Sequence, residues 1–308
     1  MDWSELTVVD HDNRPLAVAG LCGFFHFDRS VHDIAHAVAE GIERYVAYVG
    51  PNALSVYSAA NGRWKPWTQR QLDKDLRLLK SFPADHQGAH IDYDSDPVPG
   101  AYGVALAAST LDAQIEGEWA NLLRVDLPAT WLDDSPIEEF LTFFETLIEA
   151  IEPDSASAGF AFKRTEGTMQ EAKLGVHARL PRYLGFDPCY SLIRYKLRGC
   201  TFAAHWLNFV GPRFIDRLGG VETIVEALRE CGLRKLKCGV LIRGAELPPV
   251  GDVNRGARDL GCLPDVARLL KPTRVSMSAF GEPNFDASAW LARFDDLPSS
   301  PWSNRGLS

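Results

Sequence analysis

Several residue groups have types and spacings that could do chemistry. His32 and His36 stand four apart, with Asp28 and Asp33 close by, and His86 and His90 repeat that spacing. Zinc sites use such pairs. Neither pair forms His-Glu-x-x-His, because Asp33 and Gln87 take the second position, and no close cysteine pair adds ligands. Asp92, Asp94 and Asp96 alternate like calcium ligands, without the Gly and Glu of a complete EF-hand loop. Cys200 and His205 are near in sequence, which says little, since a nucleophile and its base meet in space. There is no Gly-x-Ser-x-Gly elbow, no phosphate-binding Gly-x-x-x-x-Gly-Lys loop and no Gly-x-Gly-x-x-Gly. Gly219-Gly220 precedes a helix and reads as a turn. None of these groups makes a complete metal, cofactor or nucleophile site, so no cofactor and no metal are expected. The alternative is a metal-dependent or hydrolytic enzyme using His32, His36 and nearby carboxylates.

The acidic residues are more informative. Residues 112–154 hold twelve carboxylates and one basic residue, Arg124. A helix over 137–151 that buries Ile137, Phe140, Leu141, Phe144, Leu147, Ile148 and Ile151 places Glu138, Glu145, Glu149 and Glu152 on its outer face. Such a surface repels DNA and attracts a basic groove. Trp131, beside Asp133 and Asp134, supplies an aromatic anchor. A plain solvated acidic face is the competing reading.

The elements that position these groups follow from patterning. Residues 16–27 read as a central strand, and 31–48 as a helix by a 3.6-residue period. Residues 67–79 form a second helix, and Ser135-Pro136 opens the third, with Ser135 as its cap. Residues 83–99 read as turn-rich. Strands are expected at 53–58, 102–109, 118–127, 157–163, 236–243 and 275–280, and shorter helices near 167–174, 213–218, 221–231, 265–270 and 287–294. Strand–helix–strand units recur near 18–58, 119–163 and 200–243. The fold class is α+β, with mixed or antiparallel sheets flanked by helices.

Composition sets the outer bounds. The 308 residues are 46% hydrophobic and 24% charged, a globular mixture with material for a sizeable core. The net charge of −9 disfavours direct nucleic-acid binding. It divides unevenly: residues 1–154 carry 26 acidic and 10 basic side chains, residues 155–308 carry 15 and 22. This suggests an acidic N-terminal lobe, 1–154, and a basic-leaning C-terminal lobe, 155–308, although one compact body fits equally well. Oppositely charged lobes also admit a self-associating scaffold; the oligomeric state stays open. No signal peptide or membrane-spanning run is visible, so a cytoplasmic protein that does not engage a membrane is expected. The six cysteines include no Cys-x-x-Cys and are expected to be reduced.

The second half contains, in order, Trp206-Leu207-Asn208-Phe209-Val210-Gly211, Leu218-Gly219-Gly220, Gly239-Val240-Leu241-Ile242-Arg243-Gly244-Ala245, Pro248-Pro249-Val250-Gly251-Asp252-Val253-Asn254 and Lys271-Pro272. This order resembles the type VI secretion immunity family associated with VRR-type nuclease effectors, over roughly residues 10–280. The resemblance implies a cytosolic, non-catalytic immunity protein that binds and neutralises a cognate nuclease effector, a metal-dependent DNA nuclease. It carries over no invariant functional residues. Combined with the acidic lobe, it places the partner-binding residues at Trp131, Asp133, Asp134, Glu138 and Glu139, then at Asp92, Asp94 and Asp96.

Overall fold

The computed structural model describes residues 3–96, 100–113, 119–164, 169–188, 196–257, 259–276 and 285–299. Among them the strands are β1 (Val8–Val9), β2 (Pro15–Phe27), β3 (Val56–Ser58), β4 (Trp64–Pro66), β5 (Gly88–Asp94), β6 (Gly103–Ser109), β7 (Asn121–Pro128), β8 (Ser155–Lys163), β9 (Leu207–Val210), β10 (Gly232–Leu236) and β11 (Gly239–Arg243). They form one sheet in the order β10-β11-β9-β8-β2-β7-β6-β5-β3-β4, with β1 also on β2. Every ladder is antiparallel. With the helices below, this is the expected α+β class.

β2 lies at the centre because its sequence suits burial on both faces. From Gly20 to Phe27 every residue is buried. β8 pairs with it from Val18↔Lys163 to His26↔Ser155, and β7 from Gly20↔Pro128 to Phe27↔Asn121. β7 and β8 both oppose β2 and so run parallel to each other. The helix between them, α4 (Ile137–Ile151), crosses over β2. The sheet therefore continues across residue 155, where the charge balance changes sign.

One face carries α1 (Val31–Val49), α2 (Gln69–Lys80) and α4. Ser30 accepts the His32 N–H at the start of α1, and Thr68 accepts the Gln71 N–H at the start of α2. Both helices turn leucine, isoleucine, valine or tyrosine stripes onto Leu21, Phe25, Leu123, Val125 and Tyr93 of the sheet. α1 and α4 touch closely at Gly41, where an added Cβ would lie 2.7 Å from Ile151 Cγ2. Phe140 of α4 stacks on Trp206 at 5.6 Å, and the Trp206 indole N–H donates to the Ala245 carbonyl at 2.9 Å. This joins the helical layer to the second half of the chain.

Between β7 and β8 a short α3 (Trp131–Asp134) precedes α4, and α5 (Met169–Arg179) lies between β8 and β9. α6 (Pro212–Arg217), α7 (Val221–Ala227) and α8 (Leu263–Leu270) pack with β9 and β11 into a separate apolar cluster. A last short helix is α9 (Ala287–Leu291). Cys231 and Cys262 form a disulfide in the α7–α8 cluster, their Cα atoms 5.9 Å apart. This corrects the expectation of reduced thiols: the two are 31 residues apart, and only the packing of β10–β11 against α8 brings them together. Among the described residues no helix is long and apolar enough to cross a membrane.

Three local expectations change. Residues 88–94, read as turn, form β5, because its Asp92 and Asp94 are buried where a strand read from sequence would carry apolar residues. The strand read at 236–243 is a hairpin, β10–β11, turning at Lys237-Cys238. Most of the strand expected at 275–280 falls outside the described residues.

Gly41→Val should lower unfolding free energy by about 1–3 kcal/mol, as overpacking does, measured by urea denaturation. His26 is buried on β2, and desolvation lowers its pKa from 6.5 to about 4. The unfolded chain then binds a proton that the folded chain refuses. The His26 contribution is present above pH 6.5 and lost as pH falls towards 4, on the order of 3 kcal/mol in all. His26→Gln should flatten the fall in melting temperature across that window.

Candidate functional site

The acidic corner is built where β7 hands over to α4. β7 ends at Pro128, and two turn residues lead into α3, a single turn. Ser135 does not cap α4 as expected. Its N–H donates to Trp131 O, closing α3, and Pro136 holds the N-cap position with no side-chain bond. The extra turn consumes Ser135, and Glu138 and Glu139 alone supply negative charge at the start of α4. α4 also buries Phe143 in addition to the set read from its period, while Ile137 stays half-buried.

This corner is partly aromatic. Tyr48 of α1 stacks on Phe143 at 3.9 Å with a 5° interplanar angle, and Trp131 leans on Tyr48 at 5.3 Å. Burial and the nearby Glu139 charge push the Tyr48 hydroxyl well above the usual phenol range, and the Trp131 indole N–H works against them. Trp131 is thus half-buried, while Asp133, Asp134, Glu138 and Glu139 are exposed around it. Glu138 lies 3.5 Å from Arg243, and Glu145 lies 2.7 Å from Arg234. Among the described residues, Asp133, Asp134 and Glu139 enter no ion pair. Between α1 and α4 runs an apolar slot lined by Arg44, Ala47, Tyr48, Glu138, Glu139, Thr142, Phe143 and Thr146.

The second acidic group lies apart from this corner. Ile91 and Tyr93 face the helical layer, so Asp92 and Asp94 point to the opposite face of the sheet. Asp92 is buried, and Asp94 sits 3.0 Å from the fully buried Lys163 ammonium. That ammonium also lies 3.6 Å from Asp126 and donates to Tyr102 O at 2.8 Å. Arg124 reaches Asp126 at 3.0 Å. Gly103 makes room: a Cβ there would lie 2.9 Å from Lys163 Nζ. Burial raises the Asp94 pKa, and Lys163 opposes the rise. Asp96 alone of the three is exposed. Lys163 carried no local signal, because its partners are 37 or more residues away.

The candidate enzymatic groups do not converge. His32 and His36 are exposed on α1; His32 lies against Phe82 at 5.2 Å and His36 lies 3.5 Å from Glu40. His86 also flanks Phe82, at 5.8 Å. Among the described residues one group, Asp10-His11-Asp12, has three potential metal ligands within reach of each other, and Arg14 occupies both carboxylates. His205 is buried, 2.5 Å from Asp187, and burial pushes its pKa well below the usual imidazole range. Arg293 closes on Asp187 at 3.6 Å, so this buried set ties β8 to the C-terminal region.

Residues 37–305 match the family described as type VI immunity for VRR-NUC, and the chain belongs to that family. Its fold is similar to that of the Pseudomonas aeruginosa T6SS protein PA0821, with a TM-score of 0.76 and 18% identity over 94% of this chain and 87% of that one. No curated protein matches the chain in sequence.

Lys163→Met strands two buried carboxylates and should cost about 3–5 kcal/mol in chemical denaturation. Adding Asp94→Asn and Asp126→Asn should recover part of the loss. Wild-type stability in both the single and the combined variant would show that the network is inert.

Proposed function

We propose that this protein is a cytoplasmic, non-catalytic immunity protein that binds a VRR-type nuclease effector and blocks its substrate groove. Family membership carries this reading. A nuclease needs a basic groove to hold phosphates. Carboxylates presented by an inhibitor occupy such a groove and speed the encounter. The residues available for that role are the exposed Asp133, Asp134 and Glu139 around Trp131, with Glu138 at their edge. Asp96 is a second, separate exposed carboxylate, whereas Asp92 and Asp94 serve the interior. No direct contact with nucleic acid is part of the proposal.

The test is a nuclease assay and a binding titration with a VRR-type nuclease, the product of the adjacent gene being the first choice. The wild-type chain should bind and suppress cleavage. Joint reversal of Asp133, Asp134 and Glu139 to lysine should slow association about tenfold or more at low salt, with an effect that shrinks as salt rises. The melting temperature should hardly move, because exposed charges contribute little to stability. Association kinetics indifferent to these reversals would eliminate the acidic corner as the docking face.

A further inference from the structure

β5 has a neighbour along its whole length on one side and over only two residues on the other. β6 pairs with it from Gly88↔Ser109 to Asp94↔Gly103, whereas β3 pairs with it at Tyr93 and Asp94 alone. Beyond that point the β3–β4 hairpin diverges, and a cleft of about 710 Å³ opens between its tip, β5 and α2. Gln87 and Ser95 bond to the β6 side, through Thr110 N–H to Gln87 O and Ser95 N–H to Tyr102 O, and Asp94 O accepts the Ser55 N–H from the β3 side. By alternation, Gly88 and His90, both exposed, turn their N–H and C=O groups to the open side. The two terminal strands of the sheet are defended against added strands: β4 carries Lys65 and Pro66, and β10 carries Arg234 and Lys235. The open stretch Gly88-Ala89-His90 has no lysine, arginine or proline.

The side chains around the cleft are positive on balance. Lys65, Tyr57 and Tyr93 form one cross-strand row, and Tyr93 faces the helical layer, so the row lines the side that α2 covers. α2 adds Gln71, Lys74 and Asp75. The Asp75 carboxylate accepts from the Tyr93 O–H at 2.5 Å and the Gln71 N–H at 2.8 Å. Both lysines are exposed, and among the described residues neither enters an ion pair. Two unpaired ammonium groups thus stand against one carboxylate that is already hydrogen-bonded. Asp92 also borders the cleft, with its side chain on the opposite face of the sheet.

We propose that this cleft receives an extended, acidic segment of the nuclease effector, added as a strand to the open edge of β5. This deepens the function proposed above, giving the effector a second contact away from the acidic corner, and rests on that reading. The added strand exchanges main-chain hydrogen bonds with Gly88 and His90, and its side chains point alternately towards α2 and away from it. A carboxylate on the α2 side meets Lys65 and Lys74. A basic segment gains the same main-chain bonds but sets like charges against each other, so charge selects the sequence and the backbone fixes its orientation. β6 already holds β5 over all seven residues, so the receiving edge is ordered before the partner arrives.

Two variants address the backbone and the charge separately. His90→Pro removes the N–H on the open side and no bond to β6. Lys65→Glu combined with Lys74→Glu reverses the receiving charge at exposed positions. Each should raise the dissociation rate of the effector about tenfold or more, whereas reversals at the acidic corner act on association. The melting temperature of the lysine variant should stay within a few degrees of wild type, and that variant alone decides the matter should the proline disturb β5. A photo-crosslinking amino acid in place of Ala60 should capture an effector segment that contains Asp or Glu. If the wild-type chain binds and protects but the lysine reversals keep its dissociation rate, or the captured segment has no acidic residue, the cleft proposal is overturned and the immunity reading stands. If the wild-type chain neither binds nor protects, both fail. Capture of a second copy of this chain at position 60 would also overturn the proposal.

Discussion

The pairing of β2 on both of its edges is the constraint that organises the molecule. A strand held by β7 on one side and β8 on the other has no freedom of register. Leu21, Phe25 and Phe27 must then face α1 and α4, and Cys22, Phe24 and His26 the opposite side. The crossover through α4 follows, since β7 and β8 lie parallel with β2 between them. The position of α4 in turn sets where Trp131 and the carboxylates of its first turn emerge.

Some of the opposed charges of the two halves meet within the chain. Arg234 meets Glu145, Arg243 stands by Glu138, Lys163 neutralises Asp94, and Arg213 lies 2.8 Å from Asp28. These pairs join acidic residues of the first half to basic residues of the second. At the α3–α4 corner Asp133, Asp134 and Glu139 stay exposed around half-buried Trp131.

What could be read without coordinates was local. α1, α2 and α4 were legible because an unbroken 3.6-residue period coincided with Ser30, Thr68 and Pro136 at their starts. β2 and β8 were legible as long apolar runs. β5 was not, because Asp92 and Asp94 imitate a turn until Lys163 comes over the sheet from a distant strand. β10 was missed because Arg234 and Lys235 on an exposed edge hide its alternation. At the site, Trp131 and its neighbouring acids were legible as residue types. Their aromatic setting was not, since Tyr48 and Phe143 meet only through the packing of α1 on α4. Ser135 misled for a related reason: whether it caps α4 or closes α3 depends on one turn of backbone that composition does not specify.

β2 finds its second neighbour about midway through synthesis. The ribosome releases β2 and β7 before β8, which ends at Lys163, has left the exit tunnel. At about 5–20 residues per second, the nascent chain spends seconds with one long apolar edge of β2 unmatched. Such an edge is a template for stray strand addition. Translation speed through the segment after α4, and holdase chaperones that shield the edge meanwhile, therefore bear directly on the yield of this protein.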